Sequence, residues 1–216
     1  MKKNKENTIE EEIQQISPFG IPAPIISARN HIYLYNDIDT TITRSFITIF
    51  DEMILTLLEN AVDNGTEIPV VWLHFNSFGG TVNDGLAIIQ VIEDAKSGEF
   101  SKIGDIKIPI RVGTIIEGEA DSCASLIACT GTKGYRYISK YSFSLLHEVR
   151  QFGSMGGKTE DLEVDASNLK MFKDRFKEIY INNSSLTEDE YEKLIKDEKY
   201  STPEELLKYG LVDKII

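Results

Sequence analysis

The chain has 216 residues, 41% of them hydrophobic, enough for one domain with a real core and at most a short appendage. Acidic residues (35) outweigh basic ones (23), and a net charge of −12 argues against nucleic acid or an anionic membrane as partner, since both need a basic face. No apolar run reaches the length that spans a bilayer, so the expectation is a soluble, cytoplasmic protein.

Residues 1–28 read as a flexible N-terminal arm. Lys2, Lys3 and Lys5 make its start basic, but Glu10, Glu11 and Glu12 follow where a signal peptide needs an apolar segment. Pro18, Pro22 and Pro24 then punctuate an extended stretch. Residues 29–216 read as one α/β domain. Residues 31–35 alternate and favour a strand. Residues 42–62 are apolar at helical spacing (Phe46, Ile49, Ile54, Leu57, Leu58, Ala61), and Asn64-Gly65 stops them. Residues 69–75 form a second buried strand, 76–81 a tight loop, 82–95 a second helix. A third strand over 110–116 leads through a small-residue turn, Gly118–Asp121, into a short helix that begins near Ser122.

Short strands are expected over 134–138 and 143–146, and a glycine-containing segment over 149–158. A long helix over 159–181 follows, with Leu162, Leu169, Phe172, Phe176 and Tyr180 on one side. That face has to pack on the core or on a partner subunit. Two helices (186–196 and 203–208) and a strand-like tail (210–216) complete the chain. Strands alternating with helices over the first two-thirds predict right-handed crossovers and a largely parallel sheet. Cys123 and Cys129, six apart on a helix, would point to different faces, so no disulfide is expected, and two thiols alone make no zinc site.

Three features can be assembled into acyl-transfer chemistry. Ser122 stands where a helix begins after a buried strand, beside unpaired backbone N–H groups. A serine there is either an N-cap or a nucleophile next to a ready anion site, and local sequence leaves both open. Gly79-Gly80 also follows a buried strand, on the same edge of a parallel sheet. Paired glycines let backbone N–H groups approach a ligand oxygen, and Gly80 N–H with Cys123 N–H would make a two-donor oxyanion hole. The bland reading of Gly79-Gly80 is a plain βα turn. His147 ends a strand beside a glycine-containing loop, as an active-site residue would, or it is an ordinary structural histidine. His31 opens one strand pattern and His74 lies inside another, so both read as structural. Any of the 35 acidic residues could orient His147, and spacing selects none of them. Ala120 and Ala124 flank Ser122, so this is not the G-x-S-x-G elbow.

From about residue 31 to the end the chain resembles the ClpP family, the proteolytic subunit of the Clp protease. Phe75-Asn76-Ser77-Phe78-Gly79-Gly80-Thr81-Val82 resembles its I-N-S-P-G-G-x-V loop, and Gly118-Glu119-Ala120-Asp121-Ser122-Cys123-Ala124 its G-x-A-A-S-M-G block. Gly131-Thr132-Lys133-Gly134-Tyr135-Arg136 is similar to A/G-x-K-G-x-R, and Leu145-Leu146-His147-Glu148 to M-I-H-Q. Ser201–Glu204 and Tyr209–Asp213 resemble the family's S-A-x-E-A…Y-G-L-V/I-D tail. The blocks stand in the family's order at nearly its spacing.

The resemblance implies a spiral of β-β-α units, the fold shared with crotonases, with a protruding handle at about 148–182. It implies Ser122 as nucleophile, His147 as general base, Asp197 as the orienting acid and the N–H groups of Gly80 and Cys123 as oxyanion donors. Gly79 together with Gly153 and Gly156 of the handle would bind extended peptide by backbone pairing. It further implies a homo-oligomer (a heptamer, or two stacked around a closed chamber) that cleaves unfolded polypeptides fed by an AAA+ unfoldase. That partner would use the ATP; no cofactor or metal is expected on this chain.

The departures are specific. Phe78 replaces proline, Asp121 alanine, Cys123 methionine, Glu148 glutamine and Val149 proline, and the arm does not match the usual axial loop, which puts unfoldase docking in question. Glu119, Asp121 and Glu148 add carboxylates near the site in sequence. Near His147 they would favour its protonated form and move activity to higher pH. Two other functions are weighed against the peptidase. One is a catalytically weak or inactive ring subunit or scaffold, motivated by Asp121, Cys123 and Glu148. The other, less favoured, is crotonase-like acyl-CoA chemistry, which has no need of the serine, histidine and aspartate.

Overall fold

The computed structural model describes residues 25–102, 104–150 and 159–216. The arm up to residue 24 and the handle glycines Gly153 and Gly156 lie outside the described residues.

The fold is mixed α/β. Strands β1 (Ile26–Ala28), β2 (His31–Leu34), β3 (Val71–Ser77), β4 (Val112–Asp121), β5 (Arg136–Ile138) and β8 (Lys214–Ile215) lie side by side in that order. β1 pairs antiparallel with β2, so the sheet begins inside the stretch assigned to the arm. From β2 to β8 every neighbouring pair is parallel, as strands joined by helical crossovers require. The helices are α1 (Thr40–Asn64), α2 (Val82–Ser97), α3 (Cys123–Cys129), α4 (Thr159–Asn182), α5 (Glu188–Asp197) and α6 (Pro203–Lys208). Asp39 caps α1 by accepting the Ile42 N–H at 2.8 Å, and Gly65, left-handed at φ 61, ends it. Thr187 and Thr202 open α5 and α6 with complete capping boxes.

The core lies between one face of the sheet and α1, α2 and α3. Ile32, Leu34, Val71, Leu73, Phe75, Val112 and Ile116 meet Phe46, Phe50, Ile54, Ile88, Ile92, Leu126 and Ile127, all buried. Burying a side chain of this kind is worth about 1.5–3 kcal/mol. The buried Arg136 guanidinium ties β5 to the end of the chain through Asp213, with Nη2–Oδ1 at 2.6 Å and Nε–Oδ2 at 2.9 Å.

β4 decides where the site falls. It continues through Asp121, five residues beyond the strand read from the sequence, so Gly118–Asp121 is strand and not turn. Its first half pairs with β5, Thr114 to Ile116 against Arg136 to Ile138. After a register shift opposite Phe75 and Ser77, its second half pairs with β6 (Phe143–Leu145): Glu119 opposite Phe143, Asp121 opposite Leu145. β6 in turn pairs antiparallel with β7 (Tyr200–Ser201), Leu145 opposite Tyr200. The sheet forks at Glu117-Gly118, where the Asn76 side chain lies over Gly118 in the space a Cβ would take.

On the opposite sheet face His31, His74, Glu117 and Tyr35 form a polar chain. His31 Nδ1 lies 2.7 Å from His74 Nε2, His74 Nδ1 lies 3.1 Å from Glu117 Oε1, and the Tyr35 hydroxyl donates to Glu117. The Tyr33 ring stacks on His74 at 4.4 Å. No helix among the described residues is long and apolar enough to cross a membrane.

Candidate active site

Ser122 sits between β4 and α3, half-buried, with φ 55 and ψ −127. That backbone is costly for a residue with a Cβ, by about 1–3 kcal/mol, and such strain collects at functional sites. Ser122 occupies the N-cap position of α3 yet makes no side-chain cap hydrogen bond. Its hydroxyl is not spent on capping, which removes the commoner of the two roles that local sequence left open. The turn is held by main chain instead: Ser122 N–H donates to Leu145 C=O at 2.8 Å, and Leu126 N–H to Ser122 C=O at 3.2 Å. From α4, the buried Tyr180 hydroxyl bonds to Ser125 Oγ at 3.1 Å and so fixes α3 from behind.

The Gly79-Gly80 turn lies directly against this serine. A Cβ on Gly79 would stand 2.5 Å from Asp121 O, 2.7 Å from Ser122 Cβ and 3.1 Å from Cys123 N. On Gly80 it would stand 2.1 Å from Ile38 O. The turn is clamped from the other side, since Ile38 N–H donates to Gly79 O at 2.6 Å and Thr81 N–H to Ile38 O at 2.8 Å. Both glycines have positive φ, 93 and 148, which with these approaches excludes any other residue. Among the described residues neither the Gly80 N–H nor the Cys123 N–H donates to a carbonyl or side chain of the protein, so both are free to bind a ligand oxygen. Burial pushes the Cys123 and Cys129 thiols up to about 12, so neither is a nucleophile at neutral pH.

His147 lies two residues past β6, half-buried, on the same sheet edge as Ser122. Its Nδ1 is 2.6 Å from the Glu148 carbonyl oxygen. A carbonyl only accepts, so Nδ1 is the donor of this contact, and in the neutral imidazole that makes Nε2 the acceptor. Asp197 is the last residue of α5 and is exposed. Among the described residues no hydrogen bond joins Ser122, His147 and Asp197. The β4–β6–β7 pairing brings Ser122, His147 and the residues just after Asp197 to one edge without closing the three into a hydrogen-bonded triad. Gly153 and Gly156 lie outside the described residues.

The carboxylates expected near His147 have other partners. Glu148 pairs with Lys173 of α4 at 3.1 Å. Asp121 is buried; its Oδ1 accepts Leu145 N–H at 2.9 Å, and its carboxyl lies near the Tyr200 hydroxyl and the Glu119 carboxyl. Neither carboxylate is hydrogen-bonded or ion-paired to the imidazole, so the expected shift of activity to higher pH gains no direct contact from them. Burial raises the Asp121 carboxyl to about 6, with Tyr200 opposing and the Glu119 charge adding. Sequence reasoning singled out Asp121 but not its proximity to Tyr200. The one signal was a carboxylate in the small, apolar context of residues 118–128.

Among the described residues no group of three histidine, cysteine, aspartate or glutamate side chains is placed to hold a metal ion. A family model described as Clp protease matches residues 23–216, nearly the whole chain.

Proposed function

Since the chain belongs to the Clp protease family, we propose that it is a ClpP-type serine endopeptidase working through Ser122 and His147. The observation that carries this is Ser122 itself: a strained serine at a helix start, with no capping bond, against a glycine turn that admits no side chain. Ser122 Oγ attacks the peptide carbonyl carbon while His147 Nε2 takes its proton. The N–H groups of Gly80 and Cys123 hold the resulting oxyanion. The C–N bond then breaks, His147 returns the proton to the leaving amine, and water hydrolyses the acyl-Ser122 ester with His147 again as base. Asp197 orients the imidazole once the turn between α5 and β7 brings it to Nδ1, displacing the Glu148 carbonyl.

The same reading includes the family's spiral of β-β-α units and handle, with α4 as the handle helix and Gly79, Gly153 and Gly156 pairing with extended substrate. It includes a homo-oligomeric ring, heptameric or doubly stacked, around a chamber that admits unfolded polypeptide in the cytoplasm. An AAA+ unfoldase would supply the ATP-driven step, and the chain itself binds no cofactor. The test is hydrolysis of unfolded casein and of short fluorogenic peptides. Ser122→Ala should lower kcat/KM by roughly 10⁴-fold or more, and a variant that retains activity contradicts the mechanism.

A second reading rests on the open arrangement of Ser122, His147 and Asp197: a ring subunit of weak or no activity that serves as scaffold or joins an active paralogue. A well-folded ring whose Ser122 resists a β-lactone probe would favour it.

A further inference from the structure

Asp121 immediately precedes the nucleophile and is 4% exposed. A buried carboxyl needs partners, and those of Asp121 lie on both neighbouring strands. Its Oδ1 accepts the Leu145 N–H at 2.9 Å, while the Leu145 carbonyl accepts the Ser122 N–H at 2.8 Å. Both main-chain groups of Leu145 are therefore held by the two residues that lead into α3, and Leu145 stands two residues before His147. On its far side Leu145 pairs with Tyr200 in the β6–β7 ladder. The Tyr200 side chain reaches back over β6 towards the Asp121 and Glu119 carboxyls, with the Phe143 ring packed edge-on against the Tyr200 ring at 6.3 Å. Tyr200 stands three residues after Asp197. Asp121 thus contacts both the strand that leads to His147 and the strand that follows Asp197.

We propose that Asp121 is a positioning residue: with Glu119 and Tyr200 it fixes β6 and β7, and through them His147 and Asp197, against Ser122. The inference rests on the peptidase reading of Ser122 and His147. The groups that face Asp121 are the Glu119 carboxyl on its own strand, the Tyr200 phenol on β7 and the Leu145 N–H on β6. Burial and the neighbouring Glu119 carboxyl both disfavour a charge on Asp121. Ionising Asp121 puts that charge in a buried place and loosens the clamp. The Asp121 carboxyl titrates at about 6, mainly because it is buried, so the loosening falls within an accessible range.

Asp121→Ala removes the contacts to Leu145 and Tyr200. Asp121→Asn keeps an oxygen for the Leu145 N–H and cannot titrate. Two readouts are needed: kcat and KM on a fluorogenic peptide from about pH 5 to about pH 9, and hydrogen exchange of the segment 142–149 over the same range, corrected for intrinsic exchange. Asp121→Ala should lower kcat about tenfold or more with KM within about threefold, and Asp121→Asn should recover most of it at about pH 8. Protection of 142–149 should fall in the wild type as pH rises through about 6 and stay flat in Asp121→Asn. Wild-type turnover or wild-type protection in Asp121→Ala overturns the proposal. So does a pH dependence of protection in Asp121→Asn that matches the wild type, a comparison that stands even where the alanine variant fails to fold. A wild type with no turnover and an unreactive Ser122 defeats the peptidase reading instead, and the exchange data then decide whether Asp121 holds β6.

Discussion

Replacing Gly79 by alanine tests whether the glycine turn is built around Ser122. At φ +93 any residue with a Cβ is strained, by about 1–3 kcal/mol. The added methyl would also stand 2.5 Å from the Asp121 carbonyl oxygen, 2.7 Å from Ser122 Cβ and 3.1 Å from Cys123 N. None of these is the free end of a flexible side chain, so the turn itself must retreat by about 1 Å to restore ordinary contact. A displacement of about 1 Å near reacting groups costs about 100-fold in rate, or about 2.7 kcal/mol of transition-state stabilisation. Gly134 is the control: its φ is +91 and a Cβ there meets nothing within 4 Å. Gly134→Ala carries the same backbone strain without the collision. The assay is kcat/KM on a fluorogenic peptide, with Tm from thermal unfolding of both variants. Both should lose stability, and only Gly79→Ala should lose about 100-fold in kcat/KM. A Gly79→Ala enzyme within about threefold of Gly134→Ala would show that the turn does not shape the site.

Asp213→Ala would leave the Arg136 guanidinium, 3% exposed, without its carboxylate. Breaking a buried pair in this way costs about 3–5 kcal/mol, and an unchanged urea midpoint would contradict that. Cys123 and Cys129, with thiols pushed up to about 12, should not react with a thiol-specific disulfide reagent in the folded protein at about pH 8. Both should react once it is unfolded in urea, and rapid native labelling of either would refute their burial. Asp121 titrates at about 6 in the folded state against 3.8 unfolded, so the folded chain binds more protons between those values. Stability from this group should be full below about 3.8 and fall as pH rises through about 6, by about 3 kcal/mol. Urea titrations of the wild type against Asp121→Asn across that window check the sign, and stability that rises with pH relative to the variant would contradict it.

Elements whose signal is local were legible in the residues. Helix α1 has an apolar stripe and a glycine stop, and both lie where the pattern puts them. Elements defined by pairing were not. β4 was read as ending at residue 116 because Glu117, Gly118 and Glu119 look like a turn. They are strand because Ser77 and β6 supply the partners. β1 and β7, of 3 and 2 residues, are too short to carry a period. At the site, residue order and small-residue context pointed to Ser122, Gly80 and His147, but only the family resemblance singled out Asp197. The Asp121–Tyr200 contact depends on the antiparallel register of β6 and β7, which no local pattern encodes. The chain from His31 through His74 and Glu117 to Tyr35 was hidden for a related reason: it crosses three strands whose register only the folded sheet fixes.

The most direct test of Ser122 as nucleophile is mass spectrometry of the folded, assembled protein after reaction with a fluorophosphonate. The account predicts one adduct per chain, on Ser122, absent after heat unfolding, absent in Ser122→Ala and formed in step with loss of peptidase activity. An assembled wild type that hydrolyses peptides while Ser122 stays unmodified, or that carries the adduct on another residue, would contradict it.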